Sequence, residues 1–190
     1  MRGPRESIPD DGGRCGYHAC MQTPPTALDP KSLAAALERE LLAEIPLARA
    51  MALSVAAYDG ATLALAAPLA PNRNDKDCAF GGSLASLMTL AGWGLVHLAL
   101  QARGRAADIY VQDSTIHYLA PVWQDFSAVA QAGAGADLDA FCAAFAARGK
   151  ARIRVHCQVP LPGGAAAATL EAHFVALATD AAPRPPIPHA

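Results

Sequence analysis

From Cys78 to Ala102 the chain carries no charged residue, a run long enough to cross a bilayer as a helix of about 20 residues. Two environments accept such a segment: a lipid bilayer, or the middle of a domain whose other elements surround one helix on every side. The run contains Gly81, Gly82, Ser83, Ser86, Thr89, Gly92, Gly94 and His97, and the residues just before it include Asp75 and Asp77 rather than a basic cluster. Spans are marked instead by basic flanks on the cytoplasmic side. The expectation is a buried central helix over Phe80–Leu100 and no membrane span.

The remaining segments must then supply the walls. Asp29 and Pro30 read as a helix start, and Leu33, Leu37, Leu41 and Ile45 recur on one face until Pro46. Met51–Tyr58 and Thr62–Ala67 are strand-like and are joined by Asp59-Gly60, a hairpin dipeptide. Asp108–Leu119 is rich in β-branched and aromatic residues, Pro121 interrupts it, and Phe126–Ala132 is a further strand. Asp137–Ala147, with Phe141 and Phe145 four apart, reads as a short helix or an insertion. Arg152, Arg154, His156 and Gln158 alternate with Ile153, Val155, Cys157 and Val159, and Thr169, Glu171 and His173 alternate with Leu170, Ala172 and Phe174. One face of this sheet is wet and the other packed. A symmetric turn between the two strands sets Arg154 opposite Glu171. The predicted class is α+β, an antiparallel β-sheet wrapped around a long central α-helix, because no other element is apolar enough to fill a concave sheet.

Composition narrows the function. Apolar residues make up 53% of the chain, but 45 residues are alanine, so the figure does not point to a membrane. With 15 basic against 17 acidic residues and no basic cluster, nucleic acid and anionic lipid are excluded as expected partners. The 5 cysteines are odd in number and scattered, which fits a reducing cytoplasm. Cys15, His18 and Cys20 lack a second ligand pair, so no metal site is expected. Residues 1–27 read as a disordered leader and 180–190, with four prolines, as a disordered tail. One domain is left between residues 28 and 179.

The segment NRNDKDCAFGGSLASLMTLAGWG (Asn72–Gly94), with IPLARAM (Ile45–Met51), APLAPN (Ala67–Asn72) and IHYLAPV (Ile116–Val122), resembles the thioesterase domain that forms the C-terminal half of YiiD-type acetyltransferases, a hotdog-fold family. The resemblance implies a homodimer, or a tetramer built from it, whose sheets join edge to edge with active sites at the interface. It implies an acyl thioester substrate on coenzyme A or an acyl carrier protein, and no cofactor other than the coenzyme A or phosphopantetheine of the substrate.

Gly81 and Gly82 open the helix with unpaired N–H groups at its positive end, suited to the oxygen of a thioester that becomes an oxyanion. Asn74 lies seven residues before Gly81, the spacing of an asparagine in similar thioesterases, and Phe80 stands where they have histidine. Similar enzymes place a carboxylate in the helix, but Gly81 to Gln101 contains none. Asp75 is therefore the expected base, with Asp77 its competitor and Asn74 positioning water. Asn72, Phe80, Ser83, Ser86 and Thr89 are expected to line the substrate, with Ser83 also a candidate helix cap. Cys78 lies near a helix N-terminus, but the relatives carry threonine there, so it is not expected to be a nucleophile. Asp113 and His117 share a strand face and lie about 13 Å apart, too far to pair within one strand, but either could reach the site across a dimer interface, which leaves Asp113 a further candidate beside Asp75 and Asp77. His97 reads as a satisfied core histidine and Trp93 as a core aromatic. Two alternatives stay open: a non-catalytic acyl-CoA sensor, motivated by the missing helix carboxylate, and a dehydratase or hydratase, which would need His117 in the site.

Overall fold

Asp29 starts the first helix by accepting the Ser32 N–H at 3.3 Å, and Pro30 occupies the first turn, where its missing N–H has no helical partner to lose. The computed structural model describes residues 29–179; the terminal segments 1–28 and 180–190, with Cys15, His18 and Cys20, lie outside the described residues. In chain order the elements are α1 (Pro30–Glu44), α2 (Pro46–Ala50), β1 (Ser54–Tyr58), β2 (Thr62–Ala67), α3 (Gly81–Gln101), β3 (Asp108–Tyr118), β4 (Phe126–Ala132), α4 (Leu138–Arg148), β5 (Lys150–Pro160) and β6 (Ala166–Leu177). The strands form one antiparallel sheet in the order β1-β2-β4-β5-β6-β3. This is the α+β arrangement expected from the sequence.

The uncharged run becomes α3, and 11 of its residues are buried. Leu87, Met88, Leu95, Val96 and Leu98 are fully enclosed, as are Leu63, Leu65, Val155, Leu170 and Phe174 of the sheet. Length and composition alone would let α3 cross a membrane; here sheet and α1 cover most of its surface. Two glycines permit the close approach. A methyl group on Gly92 would stand 2.8 Å from the buried Phe174 ring, and one on Gly94 2.7 Å from Leu63. Gly92→Ala is expected to lower stability by about 1–3 kcal/mol through overpacking, read from the urea midpoint at unchanged slope.

Three details differ from the sequence reading. Met51–Tyr58 is not one strand: Pro46 starts the short α2, and the strand begins only at Ser54. The ambiguous Asp137 segment is helical, with Asp137 accepting the Ala140 N–H at 2.7 Å and Gly149 leaving it at φ +65°. The β5–β6 register is displaced from the symmetric one. Pro160 cannot donate to a ladder, and the register shifts between Val159 and Pro160, so that His156 faces Glu171 and Arg154 faces His173. The outer face accordingly pairs His156 with Glu171 at 2.6 Å and His173 with Asp113 at 2.7 Å, and Arg152 joins Asp113 at 3.3 Å.

The two sheet edges are treated differently. At β1 the Glu38 carboxylate of α1 accepts the Val55 N–H at 2.6 Å, which blunts that edge. The free edge of β3 has no such cover among the described residues. Tyr110, Val111 and Tyr118 are exposed along it, and Leu119 and Trp123 continue the apolar strip beyond its end.

Candidate active site

The loop before α3 is held by two asparagines. Asn72 is buried, and its side-chain nitrogen donates to the carbonyls of Met51 and Pro68 at 2.9 and 2.8 Å, while its backbone carbonyl accepts the Phe80 N–H at 2.7 Å. It clamps three segments and is closed to a ligand, which corrects its placement among the substrate contacts. Asn74 shapes the tip of the loop: its side-chain oxygen accepts the Lys76 N–H at 2.8 Å, its backbone N–H donates to Cys78, and its backbone carbonyl accepts the Asp77 N–H. Asp77 then takes a left-handed φ of +63°, which aspartate tolerates better than most residues. Arg73 and Ala79 bridge the base of the loop.

Asp75 lies at the exposed tip, where Lys76 holds it at 2.8 Å. The hydrogen bond and the charge of Lys76 together keep its carboxyl below the usual carboxylate range. That direction makes it a weaker base.

The loop delivers the chain to Phe80 in extended conformation, and α3 begins at Gly81 without a side-chain cap. Ser83 is therefore the third helical residue and does not cap the helix. Its N–H and that of Leu84 return to the Phe80 carbonyl, while the N–H groups of Gly81 and Gly82 find no acceptor among the described residues. Both are thus open donors at the positive end of a long helix. Glycine here also keeps the approach clear. The Phe80 ring, itself exposed, lies so close that a methyl on Gly82 would meet it at 2.3 Å, whereas a methyl on Gly81 would sit 3.4 Å from Tyr118. Tyr118 at the end of β3 donates its hydroxyl to the Gly81 carbonyl at 3.2 Å. A cavity of about 360 Å³ between Gly81, Leu84, Tyr118 and Leu119 lies at this corner.

Along α3 one stripe is left half open: Gly82, Ser86, Thr89, Trp93 and His97, at the three- and four-residue steps of one helix face. Ser86 and Thr89 thus lie in line with the open amides. At the far end of the stripe Trp93 stacks on His97 with ring centres 4.9 Å apart, in a cavity of about 400 Å³ that Glu40, Glu44 and Ile109 also line. Nε2 of His97 lies 3.3 Å from a Glu40 carboxylate oxygen but is not aligned for a hydrogen bond. Burial lowers the His97 pKa from its ordinary value, and the Glu40 charge opposes that shift in part. His97 is therefore not the satisfied core histidine that the sequence suggested, while Trp93 is half-buried and packs against the core.

Other expected groups lie elsewhere. Asp113 and His117 pair with His173 and Thr169 of β6, on the face opposite the buried Phe174 and Leu170. They project from the outer face, away from α3. Cys78, Cys142 and Cys157 are free and buried, and burial pushes the Cys157 thiol up to about 12. Neither Tyr118 nor the Glu40–His97 pair was identified from sequence; the visible signal was His97 recurring at helical spacing from Ser86, Thr89 and Trp93.

Residues 34–178 match the family described as "Putative thioesterase (yiiD_Cterm)". Among solved structures, a protein of unknown function from Chlorobaculum tepidum TLS is 31% identical with a TM-score of 0.75, covering 80% of this chain and 99% of its own. A protein described as a putative thioesterase from Shewanella oneidensis is 29% identical with a TM-score of 0.69, covering 77% of this chain and 99% of its own. A Pseudomonas aeruginosa protein of unknown function, described as a probable thioesterase, shares the fold at 22% identity and a TM-score of 0.64, covering 76% of this chain and 96% of its own.

Proposed function

The chain belongs to the YiiD C-terminal thioesterase family, and from that premise we propose that it hydrolyses an acyl thioester of coenzyme A or of an acyl carrier protein. The observation that carries the reading is the pair of open N–H donors at Gly81 and Gly82, at the N-terminus of a long helix whose first residue lines a corner with room for a thioester. Such donors stabilise charge that develops in the transition state, the property that a hydrolase needs and a carrier does not. The acyl chain lies along the half-open stripe of α3, against Phe80, Ser83, Ser86 and Thr89.

The working unit in this reading is a homodimer joined through β3. Its free edge offers unpaired backbone groups and exposed apolar side chains, and an edge strand pairing antiparallel with its own copy is self-complementary about a two-fold axis. The free, buried thiols fit a reducing cytoplasm. His117 on the outer face gives no support to a dehydratase or hydratase.

Asn74 shapes the loop that presents Gly81, and Asp75 serves as a turn residue. The test is a panel of acyl-CoA and acyl-carrier thioesters read by thiol release. Turnover on at least one chain length is expected. Because Asp75 is exposed, Asp75→Ala should change that turnover by no more than about twofold; a drop of a hundredfold would return the base to the loop. Saturable binding of acyl-CoA with no thiol release would identify a sensor instead of a hydrolase.

A further inference from the structure

The open amides lie at one end of the α3 stripe and the Glu40–His97 pair at the other. Sixteen residues of helix separate Gly81 from His97, about 24 Å, so within one chain they cannot act on the same bond. They lie beside opposite ends of the same free edge. Gly81 is next to Tyr118 at the end of β3, and the cavity holding His97 reaches Ile109 near its start. An antiparallel two-fold pairing about the middle of β3 sets the start of each strand against the end of its copy. Along α3 the same axis passes near Thr89, halfway between Gly81 and His97, and brings His97 of one protomer level with Gly81 of the other.

On the hydrolase reading above, on which this rests, we propose that His97 is the general base of the reaction, supplied in trans by the second copy of the chain, with Glu40 as its positioning residue. Nε2 is buried against Glu40, whereas Nδ1 has no place among the buried, unpartnered atoms. The carboxylate behind Nε2 favours the tautomer with its proton there, leaving the Nδ1 lone pair free. A water gives its proton to Nδ1 as its oxygen bonds to the thioester carbonyl carbon, and the carbonyl oxygen takes the charge at Gly81 and Gly82. As the carbonyl re-forms, the carbon–sulfur bond breaks and the imidazolium returns its proton to the leaving thiolate. The products are a carboxylic acid and a thiol. Burial keeps the imidazole neutral at lower pH than usual, as a base requires. The charged and titratable groups around it are Glu40 and Glu44 of α1 and Asp108 and Tyr110 at the start of β3; α3 itself contributes no other.

The experiment pairs two variants, Gly81→Pro and His97→Gln, carried on differently tagged chains and purified as a heterodimer. Each homodimer is expected to lose about 10²–10⁴ in kcat. A heterodimer assembled in trans keeps one site with both intact Gly81 and intact His97, and recovers about half of wild-type activity, one site of two. A heterodimer as inactive as its parents, or a folded His97→Gln homodimer within twofold of wild type, would overturn the proposal. Glu40→Gln supplies a second readout. Removing the charge that raises the His97 pKa moves the acidic limb of the kcat/KM profile to lower pH, and an unmoved limb overturns Glu40's part. A wild type that releases no thiol from any substrate removes the hydrolase reading first, and this proposal with it.

Discussion

Gly81→Pro is expected to lower kcat by about 10²–10³-fold, the cost of one oxyanion donor, while the protein stays folded and dimeric. The substitution is unusually clean. Gly81 is the first helical residue, the position where proline is tolerated because its N–H has no intrahelical partner. Phe80 before it has φ −66° and ψ +131°, the extended conformation that a following proline demands. The nearest neighbour of the added Cβ is the Tyr118 ring, at 3.4 Å, an ordinary contact. The main loss is therefore one N–H that has no acceptor among the described residues. The readouts are kcat on the best substrate, thermal midpoint and solution mass. A variant with an unchanged midpoint and kcat within threefold of wild type would show that this amide does not hold the developing charge. If KM rose with kcat unchanged, the amide would be binding ground state and transition state equally.

The fold was legible wherever a single period ran without interruption. Thr62–Ala67 and Phe126–Ala132 form β2 and β4 with the boundaries that their patterns indicate, and the helix expected over Phe80–Leu100 became α3 within one residue at each end. What stayed hidden depended on single residues acting at a distance. One bulge beside Pro160 shifted the β5–β6 register, and with it the cross-strand partners of Arg154, His156, Glu171 and His173. A second irregularity, between Val111 and Asp113, sets which residues of β3 face inward, so that Ser114, Ile116 and Tyr118 share the side of α3 and Asp113 and His117 do not. Neither is visible in alternation alone, because one added residue reverses the face of everything after it.

The site was half legible for a related reason. Gly81 and Gly82 act through the backbone of a helix start, which the sequence marks directly. Asp75 drew notice as the nearest carboxylate in sequence, yet its neighbour Lys76 engages it in solvent. Glu40 is 57 residues from His97 in the chain, and only the packing of α1 on α3 brings them to 3.3 Å. Nothing in the sequence around Gly81 and Gly82 marks that contact.

Lysine at both Val111 and Ser114 is expected to yield a folded monomer with kcat/KM reduced by at least about 10²-fold, the contribution of a positioned base. Both residues are exposed on β3, so the cost to the monomer should stay within roughly 0.5 kcal/mol per site. Both face the side of α3, by their pairing with the buried Phe174 and Ala172. They also lie on either side of the middle of the strand, where a two-fold axis sets Val111 and Ser114 of one chain beside the same two positions of its copy, so the added charges meet like charges. Lysine on an edge strand is also the device by which sheets avoid pairing with one another. Sedimentation should show a dimer for the wild type and a monomer for the double variant, with the same far-ultraviolet dichroism. Full activity in a monomer would place the whole reaction within one chain. A double variant that stays dimeric would move the interface away from the middle of β3, and with it the geometry that sets His97 against the partner's open amides.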